Sequence, residues 1–302
     1  MRAHAVVLAL LLALTGIVPA QAQPKLLHQE RSLYRNIFVT QDGDELCMLF
    51  RYPRPAGRES CKLLHDPGKL IFDYTQMMLA GLYLNPNPKR ILITGEGGGT
   101  IPTALQEMFP DAQIDLVELD KSVDSVARNY FGFKPGPKVK VTIADGRVFV
   151  KRAIAQKPNY DLVLLDAFDA DYIPEHMLTR EFLQEVKSVM APNGVIVANT
   201  FSNSALYDYE SVTYRAVFGP FFNLKLANRI IVGRPNGVTP DDLAKARTNA
   251  MMLEPEFAKR GSGSNFLLPL LKTDIDWNPN TRILTDQYSP SNLLNAMRRP
   301  EP

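Results

Sequence analysis

Glu118, Asp145, Asp166 and Asp169 lie at or just beyond the ends of short apolar runs, where a strand by itself needs no carboxylate. A glycine-rich turn, GEGGGT at residues 95–100, follows a further such run. A carboxylate can accept from hydroxyl or amino groups, offset a cation, or take a proton from an ammonium. Glycines let the backbone turn sharply and approach a ligand closely. In an open α/β sheet the ligand lies across the C-terminal ends of the strands, so these groups are expected to meet in one cleft. Glu118 stands about 20 residues beyond the turn, where an acid is placed to accept from ribose hydroxyls. Asp120 sits beside it. Asp145, followed by Gly146, can accept from an adenine amino group. Asp166 and Asp169 remain for a cationic centre, a sulfonium or an amine, and either could free an amine to attack by taking its proton. Any single acid could instead cap a helix or sit in a loop. Four consecutive strand ends, each supplying an acid or the glycine turn, favour a site.

The glycine pattern argues against a dinucleotide. Its fingerprint is GxGxxG, and Thr100 occupies the last position here. A tight turn with no ligand is the alternative, and Glu118 at the next strand end opposes it.

These residues need a parallel scaffold, and the chain supplies its signals. Residues 91–94 (ILIT) form a buried-type strand. A helix starts near Thr100 and Ile101, with Pro102 tolerated in its first turn. Further strands are expected at 116–120, 139–144, 160–166 and 194–200, with helices at about 147–156, 179–190 and 211–217 and strands at 222–227 and 230–232. Alternation of this kind predicts an α/β, doubly wound, Rossmann-like sheet of the class I methyltransferase type. Upstream, residues 69–85 place Ile71, Tyr74, Met78 and Leu82 on one helical face, ended by Pro86 and Pro88. Residues 34–40 and 45–52 are β-type runs separated by QDGD, a hairpin signal. The expected organisation is a signal peptide at 1–22, a small β-hairpin lobe at 23–70, the nucleoside-binding catalytic domain at 71–240 and a C-terminal extension packed on it at 241–302.

Residues 1–22 have a basic start, an apolar core and a small-x-small site at Ala20-Gln21-Ala22, which predicts export to the periplasm or beyond. A membrane anchor is the alternative, opposed by Thr15, Gly16 and Pro19 interrupting a short apolar stretch. No later segment is long and apolar enough to suggest a span. Lys plus Arg number 34 and Asp plus Glu 32 over 302 residues, so no nucleic-acid surface is expected. In an exported chain the two cysteines, Cys47 and Cys61, suggest one disulfide, with two buried thiols as the alternative.

The stretches GEGGGTIP, VELDKSVDSVARNYFGF, ADGRVFV, YDLVLLDAFDADYIPEHMLTREFL and LTDQYSP, with Tyr74-Thr75-Gln76-Met77 before them, resemble the polyamine aminopropyltransferase (spermidine synthase) family. The likeness runs over roughly residues 30–295. It is similar in particular to the bacterial branch often fused to membrane segments. The resemblance implies a small β lobe on a Rossmann-like domain. It implies decarboxylated S-adenosylmethionine as donor, used as a co-substrate and not tightly bound, a small-molecule amine as acceptor, and no metal. Carried over by position, Gly95, Glu96, Gly97 and Gly98 wrap the donor, with Glu118 and Asp120 at its ribose and Asp145 and Gly146 at adenine. Asp166 resembles the catalytic acid, with Asp169 as its neighbour. Tyr74 and Gln76 line the amine side, joined by Asp286 of the tail motif. Family members are often dimers or tetramers, so a homodimer stays open.

The chain departs from the family at three places: Gly97 where an aspartate is usual, Gln76 where a glutamate is usual, and the loop after Asp166. S-adenosylmethionine-dependent methyl transfer and non-catalytic binding of a polyamine or nucleoside therefore remain as alternatives.

Overall fold

In the segments NIFVTQD and ELCML apolar side chains are buried on both sides of the strand, so the sheet they form must be covered on both faces. The computed structural model describes residues 23–53, 57–168 and 173–298. The expected signal segment at 1–22 and Asp169 lie outside the described residues. Strands β1 (Lys25–Arg31), β2 (Asn36–Asp42), β3 (Glu45–Leu49) and β4 (Arg58–Leu63) form an antiparallel sheet in that order. Gly43, at φ +55°, makes the expected hairpin turn between β2 and β3. Strands β1 and β4 were not expected from sequence. KLLHQER and RESCKL carry too few apolar residues to signal strands, and they form by pairing with β2 and β3. The pairing sets Cys47 opposite Cys61, and the two are joined by a disulfide.

Helix α1 (Asp73–Met78) continues as a tighter 3₁₀ turn at Leu79–Tyr83. The large sheet contains β5 (Arg90–Thr94), β6 (Gln113–Glu118), β7 (Val139–Ile143), β8 (Tyr160–Leu165), β9 (Met190–Phe201), β10 (Phe222–Lys225) and β11 (Asn228–Gly233). The strand order is β10-β11-β9-β8-β5-β6-β7. Helices α2 (Thr100–Met108), α3 (Lys121–Tyr130), α4 (Gly146–Ile154), α5 (Arg180–Val189) and α6 (Leu206–Phe218) make the connections. Only β11 runs against the others, because Leu226 and Ala227 are too short a link for a helical crossover.

Alternate residues of the central strands face two cores. Ile91, Ile93, Leu162, Leu164, Val195 and Val197 pack on residues 79–84 and on α7 (Pro240–Ala258). Leu92, Val163, Leu165, Ile196 and Ala198 pack on α4, α5 and α6. Each fully buried aliphatic side chain contributes about 1.5–3 kcal/mol, so this double layer dominates the stability. The small sheet is tied in from both sides. Ile37, Val39, Leu46 and Met48 pack on Val123, Val126 and Phe131 beside α3, while Phe38, Leu49 and the disulfide meet Ile71 and Phe72. Among the described residues no helix is long and apolar enough to cross a membrane.

Candidate active site

The strand ends open into a cavity of about 710 Å³. The large sheet supplies its floor, and β4, Arg35 and the residues around α1 supply its roof.

The glycine turn is built by close approach. A Cβ on Gly95, whose φ is +92°, would stand 2.0 Å from the backbone oxygen of Asp166, so no larger residue fits between β5 and β8. Gly95, Glu96 and Gly97 line the cavity. Gly98 does not line it. Its missing side chain makes room for Phe131 and Ser60, so its role is packing against the small lobe.

Glu118 ends β6 with 8% exposure. Its Oε2 accepts from the Glu96 amide at 3.0 Å and its Oε1 from the Asp120 amide at 2.9 Å. Burial pushes this carboxyl above its ordinary value, and the two amides pull it back. The turn and the strand end therefore hold one another, and Glu118 presents its remaining lone pairs to the cavity.

Asp120, expected beside it, is turned away. Its Oδ1 accepts from the Ser122 amide at 2.9 Å, capping α3, and its Oδ2 accepts from the Ser32 hydroxyl of the small lobe. It does not line the cavity and holds α3 to the segment before β2. An aspartate just before a helix is a strong cap, which is the physical reason the two acids part.

Asp145 lines the cavity and also caps α4 through the Val148 amide at 2.9 Å. Its Oδ2 lies 2.8 Å from Nε2 of His176. Gly146 lies beside it on the wall.

Asp166 follows β8 directly. The Asn199 amide donates to its Oδ1 at 2.9 Å. Burial pushes this carboxyl up to about 7, against the pull of Asn199. Tyr74 lines the same cavity from α1, stacked on Phe72 at 5.9 Å. Its hydroxyl is held well above its ordinary value by burial, then by Asp166 and Glu59.

Two residues expected on the substrate side are elsewhere. The Gln76 amide is buried and donates to the Leu70 backbone oxygen at 2.7 Å. Asp286 accepts from both terminal nitrogens of Arg147, at 2.7 and 2.8 Å, and from Thr179 at 2.8 Å. Arg147 holds the Asp286 carboxyl below its ordinary value. Neither residue lines the cavity. Gln76 secures the lead into α1, and Asp286 fastens the tail to α4 and α5.

Glu96 is 5% exposed, and its carboxyl lies against the side chain of Asp124. Burial, then nearby Asp124 and Glu118, push it up to about 9, opposed by Arg128.

Sequence reasoning did not single out Asn199, Asn228 or Glu59, all of which line the cavity. Asn199 lies near the end of β9, so carrying the strand-end reading one strand further would have found it. Glu59 and Asn228 had no such signal, because they reach the cavity through pairing of β4 and β11.

Residues 71–222 match the spermine/spermidine synthase domain. A polyamine aminopropyltransferase of Vibrio vulnificus is 43% identical over 281 residues, covering 90% of this chain and 92% of that protein. A bovine eEF1A lysine and N-terminal methyltransferase is 31% identical over 221 residues, which cover 66% of this chain and 31% of that protein. Among solved structures, a probable spermidine synthase from Corynebacterium glutamicum superposes with a TM-score of 0.62 at 19% identity, covering 85% of this chain and 98% of that one.

Proposed function

The chain belongs to the spermine/spermidine synthase family, and from that premise we propose that it is an aminopropyltransferase acting on a small amine. The donor in this reading is decarboxylated S-adenosylmethionine, and the second product is methylthioadenosine. The observation that carries it is Asp166, a desolvated carboxyl at about 7 in the same cavity as Glu118 and the glycine turn.

Glu118 accepts from the ribose hydroxyls, and Gly95 and Gly97 let the backbone pass close to the donor. Asp145 faces the adenine end, sharing its oxygens with α4 and His176. Asp166 takes a proton from the acceptor ammonium. The freed nitrogen lone pair attacks the methylene next to the sulfonium, and the carbon–sulfur bond breaks with its electrons going to sulfur. The leaving group is a neutral thioether, so positioning and one proton transfer suffice. Tyr74 shapes the acceptor side.

The likeness to a lysine methyltransferase supports a second reading, methyl transfer from S-adenosylmethionine in the same cavity. Incubating the protein with each donor and a panel of amines separates the two by mass spectrometry. Methylthioadenosine with an aminopropylated amine is the expected result. S-adenosylhomocysteine with a methylated amine would replace it with the second reading.

We also propose export. A disulfide in the small lobe and the signal-like pattern of residues 1–22 support it. Differential alkylation of protein taken from cells tests it, and free thiols at Cys47 and Cys61 would count against export.

A further inference from the structure

We propose that Asn199 and Asn228 form a relay of two side-chain amides that orients the Asp166 carboxyl and sets the pH at which it accepts a proton. The relay deepens the aminopropyl-transfer reading and rests on it for the use made of Asp166. Its geometry stands separately.

The three side chains cross three neighbouring strands. Asp166 follows β8, Asn199 lies near the end of β9, and Asn228 begins β11, the reversed strand. Asn228 Nδ2 donates to Asn199 Oδ1 at 3.2 Å, and Asn199 Nδ2 donates to Asp166 Oδ1 at 2.9 Å. All three residues line the cavity.

An asparagine amide has a donor side and an acceptor side. If Asn199 turned over, its carbonyl oxygen would face the carboxylate and its NH₂ group would face the NH₂ group of Asn228. The first contact is repulsive whenever Asp166 is ionised, so the carboxylate sets the orientation of Asn199, and the Asn228 amide donates to the carbonyl oxygen that this leaves facing it, polarising Asn199 as a donor. That donation engages Oδ1 and leaves Oδ2 for an incoming ammonium. A neutral donor suits this task better than a cation would. It stabilises the carboxylate enough to offset part of the burial without locking it in the charged form. The other groups around Asp166 are Tyr74 on α1, with Glu59 of β4 acting on Tyr74, and the Gly95 backbone after β5. Both of those side chains are acids, so among the described residues the Asn199 amide is the resolved partner that favours the charged form of Asp166.

The test uses ¹³C-carboxyl aspartate labelling of the full protein, with the Asp166 resonance identified by its loss in Asp166→Asn. Asn199→Ala is expected to raise the Asp166 titration midpoint by about one pH unit. Asn228→Ala is expected to raise it by less, in the same direction. The acidic limb of kcat/KM should move with the midpoint while methylthioadenosine affinity stays within about twofold. Asn228→Gln, which keeps a donor, should restore part of the midpoint. Midpoints unmoved in folded Asn199→Ala and Asn228→Ala proteins overturn the relay, and Asn228→Ala carries the test alone if Asn199→Ala does not fold. A midpoint that moves as expected in a protein that transfers no aminopropyl group supports the relay and sinks the transferase reading.

Discussion

The nucleoside side and the amine side of the cavity hold their carboxylates in different ways. Glu118 is gripped by backbone amides only two residues away and across the adjacent turn, so its position follows from the path of the chain. Asp145 is held on one oxygen by the first turn of its own helix and on the other by the side chain of His176. Asp166 is held by the side chain of Asn199, 33 positions away. Backbone amides fix a carboxylate rigidly and favour its charged form, which suits recognition of neutral hydroxyl and amino groups. A single neutral side-chain donor in a desolvated setting leaves a carboxyl poised between its two protonation states, which suits proton transfer. The two sides thus separate binding from chemistry.

Asp166→Asn should break the amine side alone. Turnover is expected to fall by about 10²–10⁴-fold, while methylthioadenosine binding, measured by calorimetry, stays near wild type. If turnover survived, proton removal would have to be assigned elsewhere. The pH profile sharpens the same point. Asp166 must be ionised to accept a proton, so kcat/KM should fall about tenfold per pH unit below about 7, and the Asn variant should lack that limb.

Glu118→Gln attacks the other side. An NH₂ group would replace an oxygen that now accepts from a backbone amide, leaving two donors opposed. Affinity for methylthioadenosine is expected to drop about 10- to 100-fold with a smaller change in kcat at saturation. A mainly kcat effect would show that the two sides are not separate.

The smallest effect is expected at Glu96, which lies on the nucleoside side but lacks backbone support. Its proton is held up to about pH 9 in the folded chain and only to about 4.5 as an ordinary carboxyl. The folded state therefore binds more protons across that window, and stability falls as pH rises through it. Glu96→Gln should remove that slope and raise the melting temperature at pH 8 by about 2–5 °C, with little gain at pH 4. An unchanged slope in thermal scans would place the titrating group elsewhere.

Gly95, Glu118, Asp145 and Asp166 are legible as cavity residues because each stands at its strand's last residue or within two positions beyond it. The strand-end reading put Asp120 with Glu118 because two residues of separation look like one place in a sequence. In the folded chain the step from strand to helix turns Asp120 into a cap. Gln76 and Asp286 were assigned to substrate by likeness alone, yet each is fastened to a partner on another element, Leu70 before α1 and Arg147 on α4. The small lobe was half legible. NIFVTQD and ELCML carry their own apolar pattern, whereas KLLHQER and RESCKL become strands only beside them.

The sequence by itself determined what is local: the alternation of strands and helices, the glycine turn, the acids at successive strand ends and the hairpin at QDGD. These follow from side-chain period and backbone freedom within a few residues. Only the tertiary structure decided which acids face the cavity, how Cys47 meets Cys61, and that Asn199 and Asn228 stand in line with Asp166. Those outcomes depend on register and strand order, which bring distant residues within hydrogen-bonding range and leave no mark on the residues around them.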